Sequence, residues 1–535
     1  MSMRNRSSLA IAALIAAGCG DSTAPVRGAV AAVSVSPDSV SIRIGHTVQM
    51  SAVLLDSAGD TLPDRPVAWH SSDNAKASIS ATGLVTAHNY GPVTISATID
   101  TVSGSAALRV LVPVVRVDIP PFGATLVPGG GIQFTALLTG VDGSTLSDRD
   151  ITWNSQTPTA AGVSASGVVT AAQVGQTAIT ATSEGVASSP ATVVVTQPSF
   201  VALASGESAR HTCGLTAAGT AFCWGDNIEG ALGSGTVTGG LTGGLAYPTG
   251  VLEFGTMDAL AAGAGFTCAV ATPSGLVYCW GAGDNNKLGS GSVASRPVPG
   301  PVAGNLVARE VVVEHQRGCL LTVDSLAYCW GGGTQPTPAV VPGGVRFATL
   351  AGGQGGPWFC GIGADSLAYC GFSAGQPPQP VAGGLKFRSL TNGFQHACGI
   401  GADSLAYCWG QNSSGQLGDS TTTFRSAPVA VAGGVRFVSL SAGGAFTCGL
   451  APSGAAYCWG ANDVGQLGRA PGAGSTVPLA VSGGQQFAQI VAGELHACGL
   501  TIAGAAYCWG YNGYGQLGDG TTIDRSTPVR VQGQP

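Results

Sequence analysis

Apolar and polar residues alternate along this chain in short runs. Val33-Ser34-Val35-Ser36, Val48-Gln49-Met50-Ser51-Ala52-Val53 and Val93-Thr94-Ile95-Ser96-Ala97 are examples. Side chains two apart share one face of a strand, so such runs read as half-buried β-strands. Turn signals such as Ser57-Ala58-Gly59-Asp60 separate them at intervals of about ten residues, the rhythm of a small β-sandwich. Residues 31–112 form one such unit. Residues 114–197 repeat its order: Val67-Ala68-Trp69-His70-Ser71 answers to Ile151-Thr152-Trp153-Asn154-Ser155, and Gly83-Leu84-Val85-Thr86-Ala87 to Gly167-Val168-Val169-Thr170-Ala171.

The tryptophan followed by serine, the Gly-x-Val-Thr-Ala segment and the Gly-x-x-x-Ile segment (Gly91 to Ile95, Gly175 to Ile179) together resemble the bacterial immunoglobulin-like group 2 family. The resemblance covers both units end to end. It implies a stalk or spacer, with adhesion as a further role. Trp69 and Trp153 read as core residues, and His70 and His88 as surface residues.

From residue 199 onward a different pattern recurs seven times. Its clearest copy runs Cys498-Gly499-Leu500, turns at Ile502-Ala503-Gly504, and returns as Ala506-Tyr507-Cys508-Trp509-Gly510. It continues into Asn512-Gly513-Tyr514-Gly515-Gln516-Leu517-Gly518 and later Thr527-Pro528-Val529-Arg530-Val531. With Phe487 to Gly493 ahead of it, each unit supplies four short strands. Second cysteines fall at 223, 279, 329, 370, 408, 458 and 508, and units of this length suit the blades of a propeller. The set (Ala492-Gly493, His496, Cys498-Gly499-Leu500, Gly504, Tyr507-Cys508-Trp509-Gly510, Gly515-Gln516-Leu517-Gly518) resembles the regulator of chromosome condensation repeat family. That resemblance implies a closed seven-bladed ring over 199–535. The expected architecture is therefore all-β: two immunoglobulin-like β-sandwiches followed by a seven-bladed β-propeller.

The cysteines carry their own argument. Six repeats hold Cys-x9-Cys, which pairs Cys213 with Cys223, Cys319 with Cys329, Cys360 with Cys370, Cys398 with Cys408, Cys448 with Cys458 and Cys498 with Cys508. The remaining pair, Cys268 with Cys279, has one extra residue in its turn. Counting outward across a three-residue loop sets each pair directly opposite, where antiparallel Cα atoms lie roughly 4.5–5.5 Å apart, within disulfide reach. Seven intra-hairpin disulfides are the expectation; the alternative is fourteen buried thiols lining the blades. Zinc is not expected, because its ligands would have to converge from separate blades.

The copies differ. Asn-x-x-Gly-Gln-Leu-Gly is intact at 412–418, 462–468 and 512–518, and has Ala231 for Gln at 227–233. Repeat two carries Gly283, Asn286 and Lys287 in its place, and repeats three and four lack the loop. Those two neighbours predict a notch that takes a partner or docks the second immunoglobulin-like unit; the alternative is neutral loss. Tyr511, Tyr514, Gln335 and Phe372 are the candidate binding-loop residues, tyrosine being favoured at interfaces. His211, His396 and His496, each two residues before a cysteine, read as structural hydrogen-bonded histidines.

The N-terminus adds a compartment. Arg4 and Arg6 precede an apolar run, 9–17, too short to span a bilayer and laid out like an export signal. Ala16-Ala17-Gly18-Cys19 resembles the lipobox of bacterial lipoproteins, with Ala16 where the family usually has Leu. Residues 1–18 then form the signal, Cys19 is acylated, and 19–30 is a tether. The alternative is an ordinary signal with a chance cysteine. Cys19 is the one cysteine outside the repeats, and Gly20 behind it implies, by the same resemblance, an outer-membrane or cell-surface address.

Composition narrows the function. The net charge is −6, the lysines number three, and no basic stripe exists to neutralise phosphates, which argues against nucleic acid. There is no nucleophile motif, metal-ligand spacing or adjacent pair of acids, so neither an enzyme nor a cofactor is expected, although a propeller can assemble a site from several blades. The expected partners are a membrane, through the lipid, and an unidentified protein or glycan. Guanine-nucleotide exchange, by family resemblance, and inhibition of a secreted enzyme are the alternative functions. Mass spectrometry of protein from an oxidising compartment should find all fourteen repeat cysteines paired within their own hairpins; free thiols at those positions would refute the pairing.

Overall fold

The structure, a computed structural model, describes residues 28–238, 243–252, 255–353 and 359–535. The expected leader and Cys19 lie outside the described residues. Strands dominate, and the one helical turn among the described residues is the short 3-10 turn Asp284–Asn286.

The first module is a sandwich. One sheet orders Ser39–Ile42, Val102–Val110, Gly91–Ile99 and Ala68–Ser71, and a three-stranded sheet orders Thr47–Gln49, Leu84–Ala87 and Ala77–Ile79. Alternation does what it predicts: Val93, Ile95 and Ala97 point inward from one strand to meet Met50, Val85 and Leu108, with Trp69 packed against them.

In the second module Thr152–Ser155, Gly175–Ser183, Ala191–Val195 and Gly123–Leu126 form a sheet that does not stop at the module. Gly123–Leu126 also pairs with Gly244–Gly250, the outer strand of blade 1, through Leu126 and Thr249. Around that seam Tyr247 donates its hydroxyl hydrogen to the carbonyl of Gly131, and Gln532 reaches the Pro128 carbonyl. Val127 is fully buried with Phe200, Trp224 and Val531 of the ring. The second module thus docks on blade 1, and not in the sector of blades 3 and 4 expected from their missing loops.

The propeller has seven four-stranded blades, spanning 200–250, 256–301, 308–340, 347–380, 387–430, 439–480 and 489–530. Each blade is a single run of chain, so packing must close the ring. Phe200 and Trp224 of blade 1 lie against Cys498, Leu500 and Leu517 of blade 7. Gln489 of blade 7 also exchanges hydrogen bonds with both main-chain groups of Leu203, at 2.8 and 3.0 Å.

In every blade two cysteines face each other on the middle strands as a disulfide. In chain order Cys213 bonds Cys223, Cys268 bonds Cys279, Cys319 bonds Cys329 and Cys360 bonds Cys370. Blades 5 to 7 continue with Cys398 to Cys408, Cys448 to Cys458 and Cys498 to Cys508. The partners are those the spacing predicts. Their Cα atoms lie 4.0–4.1 Å apart, closer than the roughly 4.5–5.5 Å expected for opposed strands. The extra residue between Cys268 and Cys279 stays in the turn, so the two are still directly opposed in the ladder.

Each residue of the Asn-x-x-Gly-Gln-Leu-Gly loop has a separate task. Asn512 Oδ1 accepts the Leu517 amide at 3.0 Å and closes the loop. Gln516 Oε1 accepts the Tyr514 amide, and Leu517 is buried in the ring. Gly518 has φ +67°, and a β-carbon there would sit 2.8 Å from Trp224, so both backbone and space demand glycine. The Gln516 carbonyl then accepts two hydrogen bonds from the next blade: Trp224 Nε1 at 3.0 Å and Thr212 Oγ1 at 3.3 Å. The same tryptophan clasp joins blade 2 to blade 1 and blade 7 to blade 6. It also joins blade 3 to blade 2, where Lys287 supplies the carbonyl, and blade 6 to blade 5.

Three clasps carry a histidine. His496 Nε2 lies 2.8 Å from Thr212 Oγ1, His211 Nε2 is 2.7 Å from Thr267 Oγ1, and His396 Nε2 is 2.9 Å from Thr447 Oγ1. Each threonine spends its one proton on a loop carbonyl. The histidine must therefore donate, which sets the Nε2–H tautomer. Burial holds all three rings neutral, pushing His211 and His396 down to about 4 and His496 to about 3.

Blades 3 and 4 have no loop to offer. Blade 4 has Gly371 where its neighbours have tryptophan, and Phe372 fills the space against Phe347 and Phe359. Phe372 is 0% exposed and is a core residue rather than the binding-loop residue expected of it. Gln335 opens the outer strand Gln335–Val340 instead of a free loop, and its side chain bonds the Thr337 carbonyl. Trp409 of blade 5, facing blade 4, makes no clasp among the described residues. Trp509→Phe should therefore destabilise the protein by about 1–2 kcal/mol through the lost clasp. Trp409→Phe should cost about 1 kcal/mol less, as read from guanidinium unfolding midpoints of the two variants.

Candidate functional site

The segments joining the first and second strands of the blades converge on the ring axis. Their glycines allow it: a β-carbon on Gly443 would meet the Gly493 carbonyl at 2.6 Å. Neighbouring segments are laced by main-chain hydrogen bonds, Phe394 to Gly443, Gly444 to Glu494 and Glu494 to Ala209, at 3.1–3.2 Å. They enclose an axial cavity of about 560 Å³, within the range of ligand pockets.

Its charged lining is acidic. Glu207, Asp226 and Glu494 face it, with Arg210 and His315. Arg210 is committed to Glu494 at 2.7 Å. Glu207 is 3% exposed and has no cation beside it; burial pushes its carboxyl up to about 7, against the pull of its own amide and of Ser208. Glu314, next to His315 in the blade 3 segment, is 5% exposed. Its Oε2 has no hydrogen-bond partner among the described residues. Burial raises it well above the ordinary carboxylate range, and the nearby Glu207 raises it further. Burial also raises Asp226 and lowers His315. Perturbed acids gathered in a cleft mark a functional site. Among the described residues, no group of three or more His, Cys, Asp or Glu side chains is placed to hold a metal.

Tyr514, with Tyr511 beside it, packs against Arg210 of the cavity wall. Arg210 lies over the Tyr514 ring, 5.4 Å from its centre, and donates to its hydroxyl at 3.3 Å. Tyr511 packs edge-on at 6.2 Å. Both are half-buried, and they join blade 7 to the charged wall of blade 1. Gln335 and Phe372 are not part of this site. Sequence reasoning missed Glu207, Glu314 and Arg210. The signal was present: five residues before the first cysteine, blades 2, 5, 6 and 7 carry glycine and blade 3 carries Glu314, while the blade 1 segment is longer and carries Glu207.

Comparison with known proteins agrees with this architecture. Residues 29–110 and 113–195 match the bacterial Ig-like domain (group 2). Residues 200–231, 274–313 and overlapping segments across 403–535 match the regulator of chromosome condensation (RCC1) repeat. The ring is an RCC1-repeat propeller. Among solved structures, this propeller chain is similar to Prp20p of Saccharomyces cerevisiae, a protein studied for its binding to Gsp1p and histones. The TM-score is 0.52 at 19% identity, covering 59% of this chain and 87% of that one. Human WBSCR16 gives 0.51 at 19% identity, over 58% and 94%. These likenesses are of fold. In sequence, 156 residues are 31% identical to the human E3 ubiquitin-protein ligase HERC2, and 154 residues are 29% identical to ice-binding protein 1 of Shewanella frigidimarina. The alignments cover 26% and 28% of this chain but only 3% and 17% of those proteins. Two immunoglobulin-like domains followed by an RCC1-repeat propeller fit a binding or adhesion protein.

Keeping Glu207 in the axial cavity should cost stability. Its folded-state pKa is raised, so the folded protein holds the proton more tightly than the unfolded chain. Stability is therefore full below the ordinary glutamate value of 4.5 and falls as pH rises toward about 7. Glu207→Gln should raise stability at pH 8 by on the order of 3 kcal/mol and leave it nearly unchanged at pH 4. Melting midpoints of the two proteins at both pH values check this.

Proposed function

We propose that this chain is an exported, non-catalytic binding protein, anchored to a membrane through acylated Cys19, that displays its propeller on an immunoglobulin-like stalk and engages a protein or glycan. The observation that carries the reading is the continuous sheet through Leu126 and Thr249. A propeller built into its neighbour along a strand, with Val127 in its core, is a mounted domain rather than a tethered one. Seven hairpin disulfides support export, since such bonds persist in oxidising compartments. The lipobox-like Ala16-Ala17-Gly18-Cys19 supports the anchor, and more than one acyl chain gives stable membrane attachment.

Metabolic labelling with radioactive palmitate should mark the wild type and not Cys19→Ala, and protease added to intact cells should remove the propeller. Label that persists in Cys19→Ala, or never appears in the wild type, would sink the anchor; a propeller protected in intact cells would place it inside the envelope instead.

A further inference from the structure

The face that opens the axial cavity also carries an apolar crescent. In four of the five blades with the long segment between the third and fourth strands, that segment bears a protruding hydrophobic tip; blade 6 has the segment without one. The tips are Val237 in blade 1, Val293 in blade 2, Phe424 in blade 5 and Ile523 in blade 7, each 58–64% exposed. Their position is set by the loop asparagines. Asn512 Nδ2 bonds the Ile523 carbonyl at 3.1 Å, Asn412 bonds the Thr421 carbonyl, and Asn227 bonds the Thr236 carbonyl, both at 3.0 Å. These asparagines follow the third strand at the end nearest the cavity: the Tyr511 amide bonds the carbonyl of Leu495, a cavity-lining residue. In blade 2, Gly283 is tied to Ser295 beside Val293. Blades 3 and 4, which lack the loop, end the crescent, and blade 6, whose segment runs Arg469-Ala470-Pro471-Gly472-Ala473-Gly474, leaves a gap within it.

We propose that this face docks a protein partner that inserts a lysine or arginine side chain into the axial cavity while apolar residues around that side chain seat on the crescent. This rests on reading the propeller as the binding element and names what it binds. The charge balance selects a cation. Among the described residues neither Glu207 nor Glu314 has an ion-pair partner, whereas Arg210 in the lining is held by Glu494, and Lys287, near His315, by Asp284. A buried carboxylate left unpaired is costly, and an incoming ammonium or guanidinium relieves that cost by a charge-assisted hydrogen bond. The exposed apolar tips favour a macromolecule over a free amine, because a small cation would fill the cavity and leave them in water. The groups facing Glu207 and Glu314 are Asp226 and Arg210 of blade 1, His315 and Arg317 of blade 3, and Glu494 of blade 7. Of these, only Arg317 offers a cation toward Glu314. Since burial raises Glu207 to about 7 and Glu314 well above the ordinary carboxylate range, binding of a cation should strengthen as pH rises and should release protons.

The test is calorimetric titration of the purified full chain with three probes: acetyl-Leu-Phe-Gly-Lys-Gly-Phe-Leu-amide, the same peptide with norleucine for lysine, and butylamine. The lysine peptide should bind about tenfold tighter than the norleucine peptide, and more tightly at pH 8 than at pH 5.5. Glu207→Gln and Glu314→Gln should abolish that preference. Glu207→Gln is expected to be the more stable protein, so its loss of binding cannot be unfolding. The double variant Phe424→Ser, Ile523→Ser should weaken the peptide several-fold and leave butylamine unchanged. Equal binding of the lysine and norleucine peptides overturns the cavity's role, and butylamine binding as tightly as the peptide overturns the docking surface. The titration is made in solution, so a chain without lipid at Cys19 leaves this inference standing. A cavity indifferent to lysine leaves export and anchoring standing.

Discussion

Five junctions of the ring each depend on one loop carbonyl. The Gln position of the Gly-Gln-Leu-Gly loop offers its main-chain oxygen to the neighbouring blade, which answers with a tryptophan Nε1–H and, in three junctions, a threonine hydroxyl. All these groups are buried, so leaving any unpaired would cost more than the bond itself contributes. That asymmetry gives the junctions their specificity: a blade shifted along its neighbour would strand several polar groups at once. The disulfides tie together the two middle strands of each blade and lie against the next blade, so the clasp joins units that are already rigid.

The cavity follows from the same closure. Blades held at fixed spacing bring the described inner segments to one axis, where blades 2, 5, 6 and 7 carry a glycine that leaves no room for a β-carbon. The buried acids at two of those segments are therefore conspicuous beside Glu494, which Arg210 holds. Glu314 occupies the glycine position of blade 3, and Glu207 lies in the lengthened segment of blade 1. Burial without an ion-pair partner among the described residues makes both a burden on stability, the mark of residues kept for function rather than folding. In blades 1, 2, 5 and 7 the loop that clasps the next blade also leads into the segment that carries the apolar tip, whereas blade 6 has the loop and no tip. Losing the loop in blades 3 and 4 removed both.

Most of the architecture was legible in the sequence. Alternation marked the sandwich strands, the Cys-x9-Cys spacing put the cysteines opposite each other, and the repeat supplied the blade count. What could not be read was anything that depends on which blade follows which in space. His496 and Thr212 lie 284 residues apart, yet they meet because the ring closes. In hindsight the pairing is written in the chain: histidine stands two before the cysteine in blades 7, 1 and 5, and threonine one before it in blades 1, 2 and 6. Phe372 was misassigned for the same reason, because a lost tryptophan beside a lost loop looks like an exposed stretch until the neighbouring blade is seen to need filling. The second module's place on blade 1 rests on the pairing of Leu126 with Thr249, which no local pattern announces.

The central claim is that the ring axis holds a buried acid awaiting a cation. Its most direct measurement is the titration of Glu207 itself, by carbon NMR of the full chain labelled at the glutamate carboxyls and assigned with Glu207→Gln. The account predicts a midpoint near 7 that falls by at least one pH unit when a lysine peptide is present. A midpoint in the ordinary carboxylate range, unmoved by the peptide, would contradict it.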